Sequence, residues 1–191
     1  ADISDMAMRY KAAVRKNALI IFPLTALFFL FAEPIFYVLY GSKYLAAVPY
    51  FKVYLLILPL RIATFGIIFM ALGKTKQVML NSMLTLSANL LLNIILVRQI
   101  GMMGAALATV IVTWLSVGVY LLWMKTQLRL RLKDFFALLQ VFKTAAATLG
   151  AGLVAYLILR FCSNIYIAYS AALIAFCLLY LLLGYQFKAI H

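Results

Sequence analysis

Acidic residues, cysteine and histidine are all scarce in this chain, and each shortage excludes a kind of chemistry. Only four of the 191 residues are Asp or Glu, and they are too scattered to act as the paired carboxylates that general acid–base transfer of a sugar requires. The one histidine is the final residue and no CxxC motif occurs, so we expect no metal site and no cofactor. A membrane-bound glycosyltransferase or polymerase is therefore disfavoured, and we expect that the protein is not an enzyme.

Hydrophobic residues make up 68% of the chain and charged residues only 11%, with a mean hydropathy of +1.11. A soluble domain has too much surface for this balance, so the composition predicts an all-α integral membrane protein whose surroundings are the lipid bilayer. The 17 Lys and Arg residues give a net charge of +13. Because they lie mostly between the apolar runs, as basic residues do on the cytoplasmic side of membranes, we expect no nucleic-acid partner.

The apolar runs predict six transmembrane helices, each near or above the roughly 20 residues that cross a bilayer. The expected spans are 17–40, 47–72, 77–97, 102–123, 141–159 and 164–187. Basic residues concentrate at alternate ends of these spans, which predicts that both ends of the segment are cytoplasmic. The first residues do not form a signal peptide and the chain does not begin with Met, so we expect a fragment that starts inside a cytoplasmic loop.

These features divide the chain into four predicted parts. A basic lead-in precedes a group of four transmembrane helices, which is followed by a basic cytoplasmic loop with an interfacial helix and by two additional transmembrane helices. The predicted boundaries are 1–16, 17–124, 125–143 and 144–191.

The third predicted span carries polar residues at a spacing of four, namely Asn81, Thr85, Asn89 and Asn93. On an α-helix this spacing places them on one slowly drifting stripe. Polar groups cost free energy in hydrocarbon, so the stripe should face protein or water rather than lipid. We favour a hydrated cavity lined by these four residues, while hydrogen bonding between helices is the alternative that needs no cavity.

Small residues begin the fourth predicted span. Gly101, Ala105 and Thr109 form one row on a helix, and Gly104 and Ala108 form another. Such rows let two membrane helices approach until their backbones nearly touch. We therefore expect this span to pack closely against a neighbouring helix.

Three charged residues lie inside the first two predicted spans. Arg61 either faces a cavity, where its forked guanidinium would meet an anion, or pairs with carbonyls freed near Pro59 or with the asparagines of the third span. Glu33 and Lys52 are expected to form an ion pair between neighbouring helices. The alternative is that Glu33 is a site for a coupling cation or proton.

The order of several short motifs resembles a known family of transporters. The sequence is similar to the carboxy-terminal half of lipid-linked oligosaccharide (O-antigen type) flippases of the MOP superfamily, which also contains the MATE multidrug exporters and the lipid II flippases. The motifs are Ala-Glu-Pro-Ile at 32–35, Leu-Tyr-Gly-Ser-Lys-Tyr at 39–44, Ala-Leu-Gly-Lys-Thr-Lys at 71–76, Asn-Leu-Leu-Leu-Asn at 89–93 and Gly-Met-Met-Gly-Ala-Ala-Leu-Ala-Thr at 101–109.

The resemblance implies a partial MATE-like carboxy-terminal lobe followed by two extra helices. It implies a flippase of the bacterial inner membrane that moves a polyprenyl-diphosphate-linked oligosaccharide by alternating access, for the biosynthesis of O-antigen or another surface polysaccharide. The implied partners are this substrate and a missing amino-terminal lobe of the same protein. Arg61 would then face the diphosphate and the polar stripe would line the sugar path. A lipid II flippase, a MATE-type drug or cation antiporter and a passive scaffold subunit are the alternatives.

Overall fold

A computed structural model of the protein describes residues 3–126, 136–162 and 165–186. Within these ranges every regular element is a helix, and five helices are long and apolar enough to cross a membrane, with a bent pair as a sixth candidate. The predicted all-α membrane fold is thus confirmed. The α-helices are α1 (Ile3–Leu30), α2 (Ala32–Tyr40), α3 (Val48–Leu55), α4 (Phe65–Ala71), α5 (Thr75–Ile100), α6 (Met102–Thr126), α7 (Leu138–Phe161) and α8 (Ile165–Gln186), and short 3-10 helices cover Ser42–Ala47 and Leu58–Ile62.

The first predicted span differs from the helices that the structure shows. The basic lead-in is continuous with it in α1, and the helix ends at Leu30 rather than at Tyr40. Pro34 lacks the N–H that would bond the carbonyl of Leu30, so the helix is interrupted at Phe31 and resumes as α2. Pro23 lies inside α1 without ending it. Glu33 therefore lies on a separate short helix and not within a long span.

The second predicted span is two half-helices bent by 44°. Pro59 has no N–H to donate to the carbonyl of Leu55, and the chain continues as a 3-10 turn before it becomes extended at Ala63. Neighbouring side chains bind two carbonyls at this break. Asn17 donates from Nδ2 to the carbonyl of Ile62 at 3.2 Å, and Trp114 donates from Nε1 to that of Leu56 at 3.3 Å. This is how a membrane protein tolerates irregular backbone.

Helices α5 and α6 form a tightly packed antiparallel hairpin. The turn is made by Gly101, whose φ of 63° favours glycine. Gly104 lies against the end of α5, and a Cβ atom added there would collide with the carbonyl of Leu96 and lie 2.7 Å from the nitrogen of Val97. In the predicted small-residue rows, Gly104 and Ala108 are buried, Ala105 and Thr109 are half-buried, and Gly101 is exposed.

Helices α7 and α8 form a second hairpin that packs against α1. Its core is made of small residues around one large ring, with Ala151, Ala155 and Ala172 fully buried beside Phe176. The hydroxyl of Tyr180 donates to the carbonyl of Leu19 at 2.8 Å and joins α8 to α1. Because α1 also packs against the 3-10 turn at Leu58–Ile62, it connects this hairpin to the broken span.

A second core closes the other end of α1. Val14 of α1, Phe69 of α4 and Met124 of α6 are buried together with Phe136, which lies two residues before the start of α7. Most of the predicted basic loop and the start of the predicted interfacial helix fall at 127–135, outside the described residues.

Candidate functional site

A polar cavity of about 370 Å³ lies where the broken span meets α5 and α6. Arg61 enters it from the break, and Thr85 enters it from α5. Thr113, Ser116 and Tyr120 contribute from successive turns of α6. The remaining lining residues are mostly apolar or small, namely Leu60, Ala63, Thr64, Phe65, Gly66 and Val117. The structure thus brings together two of the residues that the sequence singled out.

Arg61 is exposed at the last turn of the 3-10 segment. Within residues 3–126, 136–162 and 165–186, no hydrogen bond or ion pair holds its guanidinium. Two carbonyls at the break are bound instead by Asn17 and Trp114. This arrangement supports the interpretation in which the five N–H donors of Arg61 meet an anionic ligand in the cavity.

Asn81 lies directly behind the cavity wall. Its side chain is 3% exposed and donates from Nδ2 to Ser116 Oγ at 2.6 Å. Because the Ser116 oxygen accepts this bond, its own proton is available to a ligand in the cavity. The Asn81 Oδ1 atom is buried and has no hydrogen-bond partner in the described part of the chain. Asn81 therefore orients Ser116 rather than lining the cavity itself.

Two of the three threonines that line the cavity, Thr85 and Thr113, have a different role. Thr85 donates to the carbonyl of Asn81 at 2.6 Å, and Thr113 donates to that of Thr109 at 2.7 Å. With their protons used along their own helices, both oxygens present lone pairs to a ligand. The cavity thus offers strong donors from Arg61, one donor from Ser116 and acceptors from the threonines, a mixture suited to an anion that carries hydroxyl groups.

Asn89 and Asn93 do not line this cavity. They pair with each other along α5, because Asn93 Nδ2 donates to the carbonyl oxygen of Asn89 at 2.9 Å and to its Oδ1 at 2.8 Å. Both side chains are half-buried. The polar stripe therefore has two parts. Asn81 and Thr85 lie at the cavity wall, whereas Asn89 and Asn93 form hydrogen bonds with each other.

Glu33 and Lys52 form the ion pair expected from the sequence, with Lys52 Nζ 3.4 Å from Glu33 Oε1. Lys52 Nζ also lies 5.7 Å from the centre of the Phe29 ring. The pair lines a separate pocket near α2, away from the Arg61 cavity.

The contribution of α6 to the cavity was not predicted from the sequence. Thr109, Thr113, Ser116 and Tyr120 recur at spacings of three and four, which places them on one face of the helix. That periodicity indicates a polar face on α6, whereas the small residues at the start of the same span indicate close packing. Asn17 and Trp114 gave no comparable signal, because their partners exist only where the helix is broken.

An apolar groove of about 540 Å³ lies between α1 and α7, on the other side of the break. Pro59 borders this groove, whereas Leu60 and Arg61 border the polar cavity. Residues 59–61 of one 3-10 turn therefore lie at the boundary between an apolar surface and a polar one. The other lining residues are Phe22, Thr25, Ala26, Phe29, Leu30, Ala145, Thr148, Leu149, Gly152, Leu153 and Tyr156.

No group of three or more metal-ligating acidic, histidine or cysteine residues occurs in the described part of the chain.

Comparison with known proteins identifies the family. No curated protein and no solved structure matches the sequence. The sequence model of the family described as "Lipid II flippase MurJ" matches residues 1–177. The expected MOP-type superfamily is therefore confirmed, although this match does not support the narrower O-antigen type. The chain belongs to the lipid II flippase MurJ family, a family of multi-pass membrane transporters rather than enzymes.

Proposed function

We propose that the protein moves a polyprenyl-diphosphate-linked glycan across the bacterial inner membrane, with lipid II as the first candidate substrate. The observation that carries this proposal is the division of the broken span between two surfaces. Arg61 borders a polar cavity, and Pro59, two residues earlier, borders an apolar groove. A ligand that occupies both must have a charged or polar head and a long apolar tail, which describes a lipid-linked glycan.

The polar cavity provides groups for each part of the head. Arg61 would bind the diphosphate, since a guanidinium matches the geometry of phosphate oxygens. Ser116 would donate to a sugar oxygen, while Thr85 and Thr113 would accept from sugar hydroxyls. The apolar groove between α1 and α7 would hold the first isoprene units of the tail. Asn81 takes part through Ser116, and Asn89 and Asn93 remain candidates for another stretch of the path.

Alternating access gives this arrangement a mechanism. Arg61 is exposed, so the cavity is open at this side chain. We propose that a second lobe faces this opening and that rocking of the two lobes exposes the head first to the cytoplasm and then to the outside. The chain is extended at Ala63 and bent by 44° beside the proposed head site. We propose that both ends of the segment are cytoplasmic, because basic residues are in excess in the loops on that side.

An O-antigen-type oligosaccharide is the second candidate substrate, because the order of short motifs resembles the flippases that move it. A MATE-type drug or cation antiporter has weaker support. The charged residue in the cavity is Arg61, and a positive charge repels an organic cation instead of attracting it.

The test is a comparison of Arg61 variants of the full-length protein in lipid vesicles. We expect Arg61→Gln to lower the rate of lipid II flipping by about tenfold or more, since it removes the charge that would hydrogen-bond the diphosphate, and Arg61→Lys to retain part of the rate. Arg98→Gln, at the exposed end of α5, is the matched control and should leave the rate unchanged. Normal flipping by Arg61→Gln would refute the proposed head site. Flipping of the O-antigen precursor but not of lipid II would replace the first candidate with the second.

A further inference from the structure

A second pocket, of about 900 Å³, lies between α2, α3 and α8 and is separate from the cavity and the groove. Its wall contains Glu33 and Pro34 of α2, Val48 and Lys52 of α3, and Tyr169 of α8, with Phe31 at the interruption between α1 and α2. The wall is otherwise apolar, so the Glu33–Lys52 pair is its distinctive chemical feature.

The pocket lies at one end of the membrane-crossing helices. The candidate span of α1 ends at Leu30, the bent pair begins at Ser42, and the span of α8 begins at Ile167. All three boundaries are within a few residues of the pocket lining. The pocket therefore lies at the level where lipid headgroups meet the hydrocarbon, which is the level that aromatic residues such as Tyr37 and Tyr169 favour.

The two side chains of the Glu33–Lys52 ion pair differ in their exposure to solvent. The Lys52 side chain is 31% exposed and the Glu33 side chain is 65% exposed, so the positive group is the more enclosed of the two. The pair is long, at 3.4 Å, and exposed ion pairs of this kind contribute little to stability. A ligand that carries both an anion and a cation can replace it without leaving either side chain unpaired.

We infer that this pocket binds a phospholipid with a phosphoethanolamine headgroup. Its phosphate, next to the glycerol and the acyl chains, binds the more enclosed Lys52. Its ammonium, two carbons farther out, binds the more exposed Glu33. The acyl chains lie along the apolar wall at Pro34 and Val48. In both the pocket and the lipid headgroup, the two charges thus follow one another in complementary order from the membrane outwards. The inference does not depend on which glycan the protein moves.

The test is native mass spectrometry of the purified full chain with phosphatidylethanolamine and phosphatidylglycerol at equal concentration. The wild type should retain phosphatidylethanolamine over phosphatidylglycerol by about fivefold, the contribution of one exposed charge pair to the ammonium. Glu33→Gln should remove this preference while both lipids still bind. Lys52→Gln should weaken both lipids, because both carry the phosphate. The nearby exposed Lys43→Gln, which is not part of the pocket wall, is the control and should behave as wild type.

The charge-exchanged double variant Glu33→Lys with Lys52→Glu separates binding from folding. It keeps an ion pair between α2 and α3 but reverses its order, so it should keep the wild-type melting temperature and lose the preference for phosphatidylethanolamine. Equal binding of the two lipids by the wild type would overturn the inference. An unchanged preference in Glu33→Gln or in the exchanged variant would also overturn it.

Discussion

Asn81 of α5 donates its side-chain N–H to Ser116 of α6 at 2.6 Å, joining the two helices directly behind the cavity that contains Arg61. This bond is buried on the Asn81 side and borders the cavity on the Ser116 side. It therefore links the packing of the hairpin to the orientation of a ligand-facing hydroxyl.

Removing the Ser116 hydroxyl should destabilise the hairpin. Ser116→Ala leaves the buried Asn81 amide without its partner, and we expect a loss of about 1 kcal/mol in the free energy of unfolding, within the range of hydrogen bonds between membrane helices. Denaturation in mixed micelles measures this loss in the free energy of unfolding. Ser82→Ala is the control, since that exposed serine bonds only its own helix. An equal loss in both variants would show that the bond to Asn81 contributes nothing specific.

Gly104 allows the backbones of α5 and α6 to meet, and alanine should not be tolerated there. The added Cβ would collide with the carbonyl of Leu96, so the hairpin must separate, at a cost of about 1–3 kcal/mol. Gly118→Ala on the same helix is a matched control, because its Cβ would meet no atom within 4 Å. That control should be neutral or slightly stabilising through helix propensity. Thermal unfolding in detergent distinguishes the two, and similar melting temperatures would contradict the close approach.

Pro59 should maintain the break in the second span. Pro59→Ala restores an N–H that can bond the carbonyl of Leu55, so the 44° bend should decrease while stability is unchanged or higher. The distance between spin labels at the exposed positions Tyr54 and Ile67 measures the bend. Because straightening moves Arg61 relative to the groove, flipping should fall as well. Pro23→Ala is the control, since α1 continues through that proline. An unchanged label distance in Pro59→Ala would show that packing, and not the proline, holds the bend.

The sequence predicted the membrane class and the positions of the later spans well. Hydropathy sets these features, and α5 and α6 extend the predicted spans by no more than three residues at either end. The stripe spacing also placed Thr85 at a cavity, because helical periodicity acts over a few turns. Over more turns the stripe drifts around the helix, and Asn93 lies close enough to Asn89 to satisfy it instead of a ligand.

Sequence patterns did not predict which prolines interrupt a helix. All four prolines lie inside the first two predicted spans. α1 continues through Pro23 and Pro49 lies in the first turn of α3, whereas the chain breaks near Pro34 and Pro59. Distant side chains bind backbone carbonyls in both cases, Tyr180 at Pro23 and Asn17 with Trp114 at the second break. Those neighbours are distant in sequence. For the same reason, the sequence did not predict that Arg61 and Ser116 line one cavity, because the chain must bend before they do so.

The central claim is that the head of the substrate occupies the cavity between Arg61, Thr85 and Ser116. Its most direct test is substrate protection of Thr85→Cys from a charged maleimide, in a full-length protein whose Cys162 and Cys177 are replaced by alanine. Labelling should occur without substrate and decrease when lipid II is added, whereas Arg98→Cys, at the exposed end of α5 and outside the cavity lining, should show no protection. Labelling of Thr85→Cys that lipid II leaves unchanged would contradict the claim.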